Sequence, residues 1–135
     1  MDLTRISLAI EADLIERFDA LVARTGATNR SEAIRDLIRK RLVEDEWERG
    51  RREAVASLTL VYDHGKRDLS DRITATGHDH HHEILATLHV HLDHDACLEV
   101  MALRGKPSEL RHIADHLIGL KGVKHGQLVM SATGL

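Results

Sequence analysis

The chain has 135 residues, of which 42% are hydrophobic and 30% charged, a composition that excludes a disordered tail and fits a folded protein. A formal net charge of -3 excludes a uniformly basic surface, so contact with nucleic acid would need a local patch or assembly. The single cysteine, Cys97, and the absence of a long apolar run lead us to expect a cytoplasmic protein that no membrane anchors. Eleven histidines beside one Trp, one Tyr and one Phe make metal binding the first hypothesis.

The first segment of the chain predicts a short strand followed by two helices. Residues 5–10 alternate with the two-residue period of a strand. One face of this strand carries Ile6, Leu8 and Ile10, and the other face carries Arg5, Ser7 and Ala9. Apolar residues then recur at helical spacing, and Gly26 predicts the end of that helix. Asn29 and Glu32 have the spacing of a capping box, which predicts the start of the next helix.

A unit of this size, residues 1–43, rarely buries an adequate core alone, so we expect an obligate dimer. Antiparallel pairing of two copies of the strand would bury the apolar face and present the other face as a two-stranded ribbon. Such a ribbon fits the major groove of DNA. The free N–H groups at Asn29, Arg30 and Ser31 suit a phosphate, so we expect the start of the second helix to bind the DNA backbone.

This segment resembles the ribbon-helix-helix family of transcriptional regulators. The resemblance runs from Arg5-Ile-Ser-Leu to the more specific Asn-Arg-Ser-Glu-Ala-Ile-Arg-Asp stretch at 29–36. It implies that Arg5 and Ser7 contact base edges, whereas Ala9 can offer only an apolar contact. The simpler alternative is a small helical dimer, or an antitoxin-type module, whose strand serves assembly alone.

The charged stretch at 44–53 predicts a helix tail and a hinge, and we divide the chain into domains at 1–48 and 49–135. Strands are expected at 54–62, 84–93, 97–104 and 122–130, and helices at 66–76 and 107–120. The order βαββαβ predicts a ferredoxin-like, ACT-like domain, so the whole chain is α+β. That fold hosts many activities, and the function has to be argued from a site.

One strand of this domain carries the strongest metal-binding pattern. Its period places His89 and His91 on one face, about 6.6 Å apart by backbone rise, which is close enough for both to bind one ion. The other face is apolar, and we expect it to pack on the helices. Two imidazoles with the thiolate of Cys97 suit zinc, nickel or copper, and these residue types alone do not choose among them.

The position of Cys97 depends on the turn that follows the histidine strand. A turn of residues 94–96 would place Cys97 opposite Asp93, on the histidine face. A turn of only 94 and 95 would pair Cys97 with Leu92 instead. The metal site therefore requires the longer turn or a bulge.

A second histidine cluster, His78-Asp-His-His-His, precedes this strand. Extended geometry puts residue 83 roughly 20 Å from His89, so the cluster cannot easily fold back onto the same site. A histidine from a neighbouring subunit could complete the site instead, which would couple metal binding to assembly.

Nearly the whole chain resembles the nickel-responsive ribbon-helix-helix regulators, most specifically in Leu-His-Val-His at 88–91 and His-Asp-Ala-Cys-Leu-Glu at 94–99. The resemblance implies one square-planar nickel ion per subunit, bound by His89, His91 and Cys97 of one subunit and His78 of another. It further implies a homotetramer, a dimer of dimers, which binds double-stranded operator DNA when loaded with nickel and represses nickel uptake.

The resemblance also implies roles for acidic residues outside the nickel ligand set. Glu32 and Asp36 match acidic residues that help bind a second cation, such as potassium, between the domains, although capping and helix-face roles also explain them. Glu99 is expected to hydrogen-bond a ligand rather than bind the metal. Asp79 interrupts the histidine run, which leaves the roles of His80, His81 and His82 open, outer metal sites among them.

Three other functions compete with a nickel-responsive regulator. A copper or zinc sensor would use the same ligands. A metal-storage module would have no use for its DNA-binding half. An enzyme would need an open coordination position and a general base, and four protein ligands leave no such position.

Overall fold

The computed structural model describes residues 2–27, 29–65 and 68–135. By their contacts, these residues form two compact units, one ending at Lys40 and the other running from Arg41 to Leu135. The domain boundary expected at 48/49 lies near the end of the second helix, which continues across the division between the units. Among the described residues, no helix is both long and apolar enough to cross a membrane.

The first unit contains helix α1 (Ala12–Thr25) and the start of helix α2 (Arg30–Arg49). Gly26 ends α1 at φ 75°, a left-handed conformation that favours glycine, which confirms the predicted stop signal. The side-chain oxygen of Asn29 accepts a hydrogen bond from the backbone N–H of Glu32 at 2.9 Å, as a helix cap should. The carboxylate of Glu32 contacts the side chain of Arg35 instead of the backbone of Asn29. Only the Asn29 half of the predicted capping box therefore forms.

Residues 2–11 form no strand pairing with other described residues of the chain. Ile6 and Leu8 are 70% and 61% exposed, so their apolar side chains are left uncovered within the single chain. An exposed strand with an apolar face needs a partner strand, because neither its backbone groups nor its side chains are satisfied alone. These features are what one copy of a dimeric ribbon would have.

The second unit is a four-stranded antiparallel sheet with two helices on one face. The strands are β1 (Ala54–Asp63), β2 (Ile84–His91), β3 (Ala96–Gly105) and β4 (Val123–Ser131), and the helices are α3 (Leu69–Asp79) and α4 (Pro107–Ile118). The order across the sheet is β2-β3-β1-β4. The element order βαββαβ is therefore confirmed, and α3 begins and ends three residues later than expected.

The core lies on the sheet face that carries the even-numbered residues of β1 and the odd-numbered residues of β3. Its fully buried side chains include Leu58, Leu60, Cys97, Met101, Leu110, Ile113 and Leu117. Trp47, near the end of α2, is buried with this core, and its indole N–H donates to the carbonyl oxygen of Ser131 at 3.0 Å. The second unit thus includes the last turns of α2.

The expectation that the apolar face of β2 packs on the helices is wrong. His89 lies opposite Glu99 and His91 opposite Cys97 in the β2–β3 register, so the histidines share the face that the helices cover. The alternate residues of β2 face away from the helices, and Leu88 is 61% exposed. Alternation shows which residues share a face, but it cannot show which face the helices cover.

Candidate metal centre

Three adjacent strands bring the chemistry-bearing side chains into one row. Tyr62 on β1 pairs with Cys97 on β3, and Cys97 pairs with His91 on β2. Cross-strand partners have neighbouring side chains on one face of a sheet, so the row places these groups side by side. The next row along the sheet carries Leu60, Glu99 and His89.

The turn between β2 and β3 differs from both predicted turns. His91, not Asp93, lies opposite Cys97, and the connecting residues are 92–95. The carboxylate of Asp93 accepts hydrogen bonds from the backbone N–H groups of Asp95 and Ala96, which lowers its pKa and closes the turn. The register differs by two residues from the longer predicted turn. Since a shift of two preserves the face, Cys97 still lies with the histidines.

Cys97 is the buried centre of a cluster of possible metal ligands. Its Sγ lies 3.6 Å from Nδ1 of His91 and 3.2 Å from Nδ1 of His64. One donor atom from each of these three residues lies within 4.8 Å of the others. Two imidazole nitrogens and a sulfur at these separations fit a transition-metal ion such as zinc or nickel.

His64 is the ligand candidate that the sequence reasoning missed. It follows the end of β1, and its backbone N–H donates to the carbonyl oxygen of Asp95 at 2.7 Å, which holds it against the β2–β3 turn. The signal that could have found it was the pairing of the end of β1 with the start of β3. That pairing is long-range, and local periodicity does not report it.

His89 stands beside this cluster, with its side chain turned to polar partners. Its Nδ1 lies 2.8 Å from Oε1 of Glu99 and 3.1 Å from the hydroxyl of Tyr62. The rings of His89 and His91 are 4.8 Å apart between centroids. A carboxylate on one ring nitrogen orients a metal-binding histidine and leaves Nε2 for the ion, which is the role expected of Glu99.

Burial and nearby acidic groups tune the protonation of this site. Burial, with a contribution from the charge of Glu99, raises the pKa of the Cys97 thiol above its usual value. A metal that binds the sulfur must therefore displace a proton, and its affinity rises with pH. Burial first, and then the charge of Glu99, raises the pKa of Tyr62 to about 12, so its hydroxyl stays neutral.

The second cluster lies on another element. His78 is exposed in the last turn of α3, and His80 ends that helix. The structure does not bring His78 to Cys97 within one chain. His81 and His82 are exposed, and their rings are tilted to each other with 4.0 Å between centroids.

The residues predicted to contact DNA lie in the first unit and are exposed, as a binding surface requires. Arg5, Ser7 and Ala9 lie on the unpaired N-terminal segment, and Asn29, Arg30 and Ser31 lie at the start of α2. Arg30 is paired with Asp19, at 2.9 Å between Nε and Oδ1. This pairing lowers the pKa of Asp19, and it holds the guanidinium beside the start of α2.

The two residues predicted to bind a second cation are engaged in ion pairs along α2. Glu32 contacts Arg35, and Asp36 contacts Arg39 at 2.9 Å. Each pair is three residues apart on one helix face, a spacing that brings opposite charges together. Within the described residues, neither carboxylate belongs to the cluster of metal-binding donors.

Replacement of Glu99 by glutamine tests the hydrogen bond to His89. We expect metal affinity to fall by about 10- to 100-fold, because the amide orients the imidazole less strongly than a carboxylate does. Competition with a chromophoric chelator measures the affinity. Tyr62→Phe is the matched control, since it removes the longer contact to the same nitrogen and should have the smaller effect. Unchanged affinity in Glu99→Gln would contradict this role.

The fold and site together define a class of protein, a two-part chain with a ribbon-helix-helix segment and a histidine- and cysteine-containing metal domain. Comparison with family models agrees with this class. The NikR C-terminal nickel-binding domain matches residues 55–131, and the ribbon-helix-helix protein, CopG family, matches residues 4–45. The chain belongs to the family of nickel-responsive ribbon-helix-helix regulators, which are transcription regulators rather than enzymes.

Relatives that match along almost their whole length agree. A predicted nickel-responsive regulator of Solibacter usitatus is 54% identical, over 98% of this chain and 95% of the relative. One of Geobacter metallireducens is 56% identical, over 96% and 94% respectively. An uncharacterized protein of Thermotoga maritima has a similar structure, with a TM-score of 0.53 over 58% of this chain and 98% of its own. Its sequence identity of 14% means that it supports the fold alone.

Proposed function

We propose that this chain is a repressor of nickel-uptake genes that binds operator DNA when nickel fills a site shared by two subunits. The observation that carries the proposal is the position of His89 and His91 beside buried Cys97 on one face of the sheet, in a chain that also matches the ribbon-helix-helix family. A metal site and a DNA-binding unit in one chain are what a metal-responsive regulator requires.

The proposed ligands are His89, His91 and Cys97 of one subunit and His78 of a second, with one nickel ion per subunit. Support comes from the shared face of the first three residues and from the contact of His91 with Cys97. His78 is exposed on α3 and so is available to another chain. Nickel binding would then hold two subunits in one arrangement.

The proposed assembly is a homotetramer, a dimer of dimers. The N-terminal segment supports the dimer, because its apolar side chains are uncovered in one chain. The sheet face away from the helices supports the tetramer, because it exposes Leu88 and Val129, at 61% and 52%. Exposed apolar side chains on one open face of a sheet favour an interface with a second copy. The domains proposed at 1–48 and 49–135 would serve DNA binding and tetramerisation respectively.

The proposed mechanism is linkage between the metal and DNA sites. A nickel ion held by these residues would link two subunits, and strands β2 and β3, which carry three of the ligands, would limit how the tetrameric centre carries its two DNA-binding dimers. Nickel then raises the affinity for the operator, and the operator raises the affinity for nickel by the same factor. The place of action is the cytoplasm, where the DNA is.

A second cation, such as potassium, is proposed to bind Glu32 and Asp36 when the protein is on DNA. Its support is their shared position on the first turns of α2, near the proposed phosphate contacts. Binding would require both carboxylates to leave their present arginine partners.

Arg5→Ala tests the proposed contact with bases. A bidentate arginine contact contributes roughly 1–3 kcal/mol, so we expect operator affinity to fall by about 5- to 150-fold in the nickel-loaded protein. Fluorescence anisotropy with promoter DNA of nickel-uptake genes, at constant salt, measures this loss. Arg24→Ala, an exposed arginine in the last turn of α1, is the control for charge. Equal losses for the two variants, or none for Arg5→Ala, would contradict sequence reading by Arg5.

A further inference from the structure

Trp47 is the single tryptophan of the chain, and it lies in the charged stretch at 44–53. The tail of a solvated helix has no need of a large apolar side chain. Trp47 is nevertheless only 1% exposed, and its ring joins the core of the second unit, to which the last turns of α2 belong. The proposed contacts with nickel and with DNA give this residue no role.

The end of α2 is held by contacts with two other elements of the second unit. The indole N–H of Trp47 donates to the carbonyl oxygen of Ser131, the last residue of β4, at 3.0 Å. The guanidinium carbon of Arg111 on α4 lies 5.5 Å from the centroid of the indole ring, within the range of a cation–π interaction. Val43, one turn earlier on α2, packs against the same core. A hydrogen bond, a cation and apolar packing thus act together on this end of the helix.

The connection from α2 to the sheet is short. The helix ends at Arg49, Gly50 has a left-handed conformation at φ 63°, and β1 begins at Ala54. Glycine adopts this conformation without strain, which lets the chain turn directly after the helix. Ala54 is also buried, at 2% exposed. Since the residues on both sides of 50–53 pack in one core, this connection has little freedom to act as a hinge.

The way in which α2 is held matters because the same helix begins with the proposed phosphate contacts. Asn29 precedes α2, and Arg30 and Ser31 begin it, whereas Trp47 lies in its last turn. In the proposed function, nickel restricts the arrangement of the metal domains, and this restriction has to reach the DNA-binding segments through the chain that joins them. That chain is α2. If its end swung freely on the metal domain, operator affinity would no longer depend on nickel.

We propose that Trp47 is the positioning residue that carries the effect of nickel to the DNA-binding segment, by fixing the end of α2 on β4 and α4. The proposal rests on the proposed function, because it concerns how nickel changes the affinity for the operator. Within the described residues, Trp47 is not part of the cluster of metal-binding donors. Loss of its contacts should therefore weaken the link between nickel and DNA binding and leave nickel binding itself intact.

Two substitutions of Trp47 test this role in the full-length protein. Trp47→Phe keeps an aromatic ring and removes the hydrogen bond to Ser131, and Trp47→Ala removes the ring as well. Substitutions along a coupling network change the coupling by about 2- to 30-fold, so the factor by which nickel raises operator affinity should fall by this amount, further in Trp47→Ala. Fluorescence anisotropy with promoter DNA of nickel-uptake genes, with and without one equivalent of nickel, measures the factor. Nickel affinity of the DNA-free protein, from competition with a chromophoric chelator, should stay unchanged.

Ile113→Val is the matched control for stability. Ile113 lies on α4 in the same core, at 1% exposed, and the change removes one buried methylene group. It should lower thermal stability and leave the enhancement by nickel intact. Thermal unfolding without metal compares the variants, and Trp47→Phe carries the test if Trp47→Ala does not fold.

The outcomes separate this proposal from the one on which it rests. An unchanged enhancement by nickel in Trp47→Phe and Trp47→Ala would overturn the role of Trp47. An equal loss in Ile113→Val would also overturn it, because a general loss of packing would then explain the effect, and so would a loss of nickel affinity in Trp47→Phe. If nickel does not raise operator affinity in the unsubstituted protein, the proposed function is overturned instead.

Discussion

Replacement of Cys97 by alanine is expected to abolish the response of operator binding to nickel. The thiolate is the only sulfur donor of the site, and it lies between His64 and His91. Outer partners of a metal site contribute about 10- to 100-fold to affinity, so losing a direct ligand should cost more than about 100-fold. Operator binding with one equivalent of nickel, compared with metal-free protein, measures the response.

Cys97 is buried, so the fold of this variant has to be tested separately. Thermal unfolding without metal should show a modest loss, since alanine leaves only a small cavity in place of the sulfur. His91→Ala is a second variant at an exposed ligand, and it should lose the nickel response with little change in stability. A full nickel response in either variant would contradict the ligand set.

Replacement of Leu88 by aspartate is expected to convert the proposed tetramer to a dimer. Leu88 is 61% exposed on the sheet face away from the helices, where a second copy would cover it. A carboxylate buried in such an interface without a partner costs several kcal/mol, enough to shift the assembly by orders of magnitude. Sedimentation or light scattering measures the mass, and circular dichroism checks the fold.

Thr87→Asp is the matched control for this change, because Thr87 is the preceding exposed residue of β2 and lies on the other face. It should leave the tetramer intact. If Leu88→Asp also remains a tetramer, the open sheet face is not the interface. If both variants dissociate, the edge strand and not the open face carries the assembly.

Local patterns predict most of the elements of this chain. Pro107 and the apolar spacing that follows it predict α4, and Gly26 predicts the end of α1, because each signal acts within a few residues. Alternation in β2 likewise predicts that His89 and His91 share a face. The patterns fail where the determining contact is distant. The face of the sheet that α4 covers depends on the core of β1 and β3.

The candidate metal site could be predicted only in part, because some of its contacts are local in sequence and others are distant. His91 and Cys97 are joined by one hairpin, so their proximity could be expected even though the register of the turn was wrong. His64 reaches Cys97 only because β1 pairs with β3, across 33 residues of sequence. The family resemblance alone implies that His78 is a ligand from a second chain, because no local pattern in one chain predicts a contact between chains.

Mixing two inactive variants tests most directly the claim that nickel acts from a site shared by two subunits. His78→Ala and Cys97→Ala each remove one side of every site, so each alone should bind operator DNA no better with nickel than without it. Tetramers formed from both variants, mixed and reassembled, contain some sites with all four ligands, and the account predicts that nickel again raises operator affinity. A mixture that stays unresponsive, or His78→Ala that responds fully alone, would contradict it.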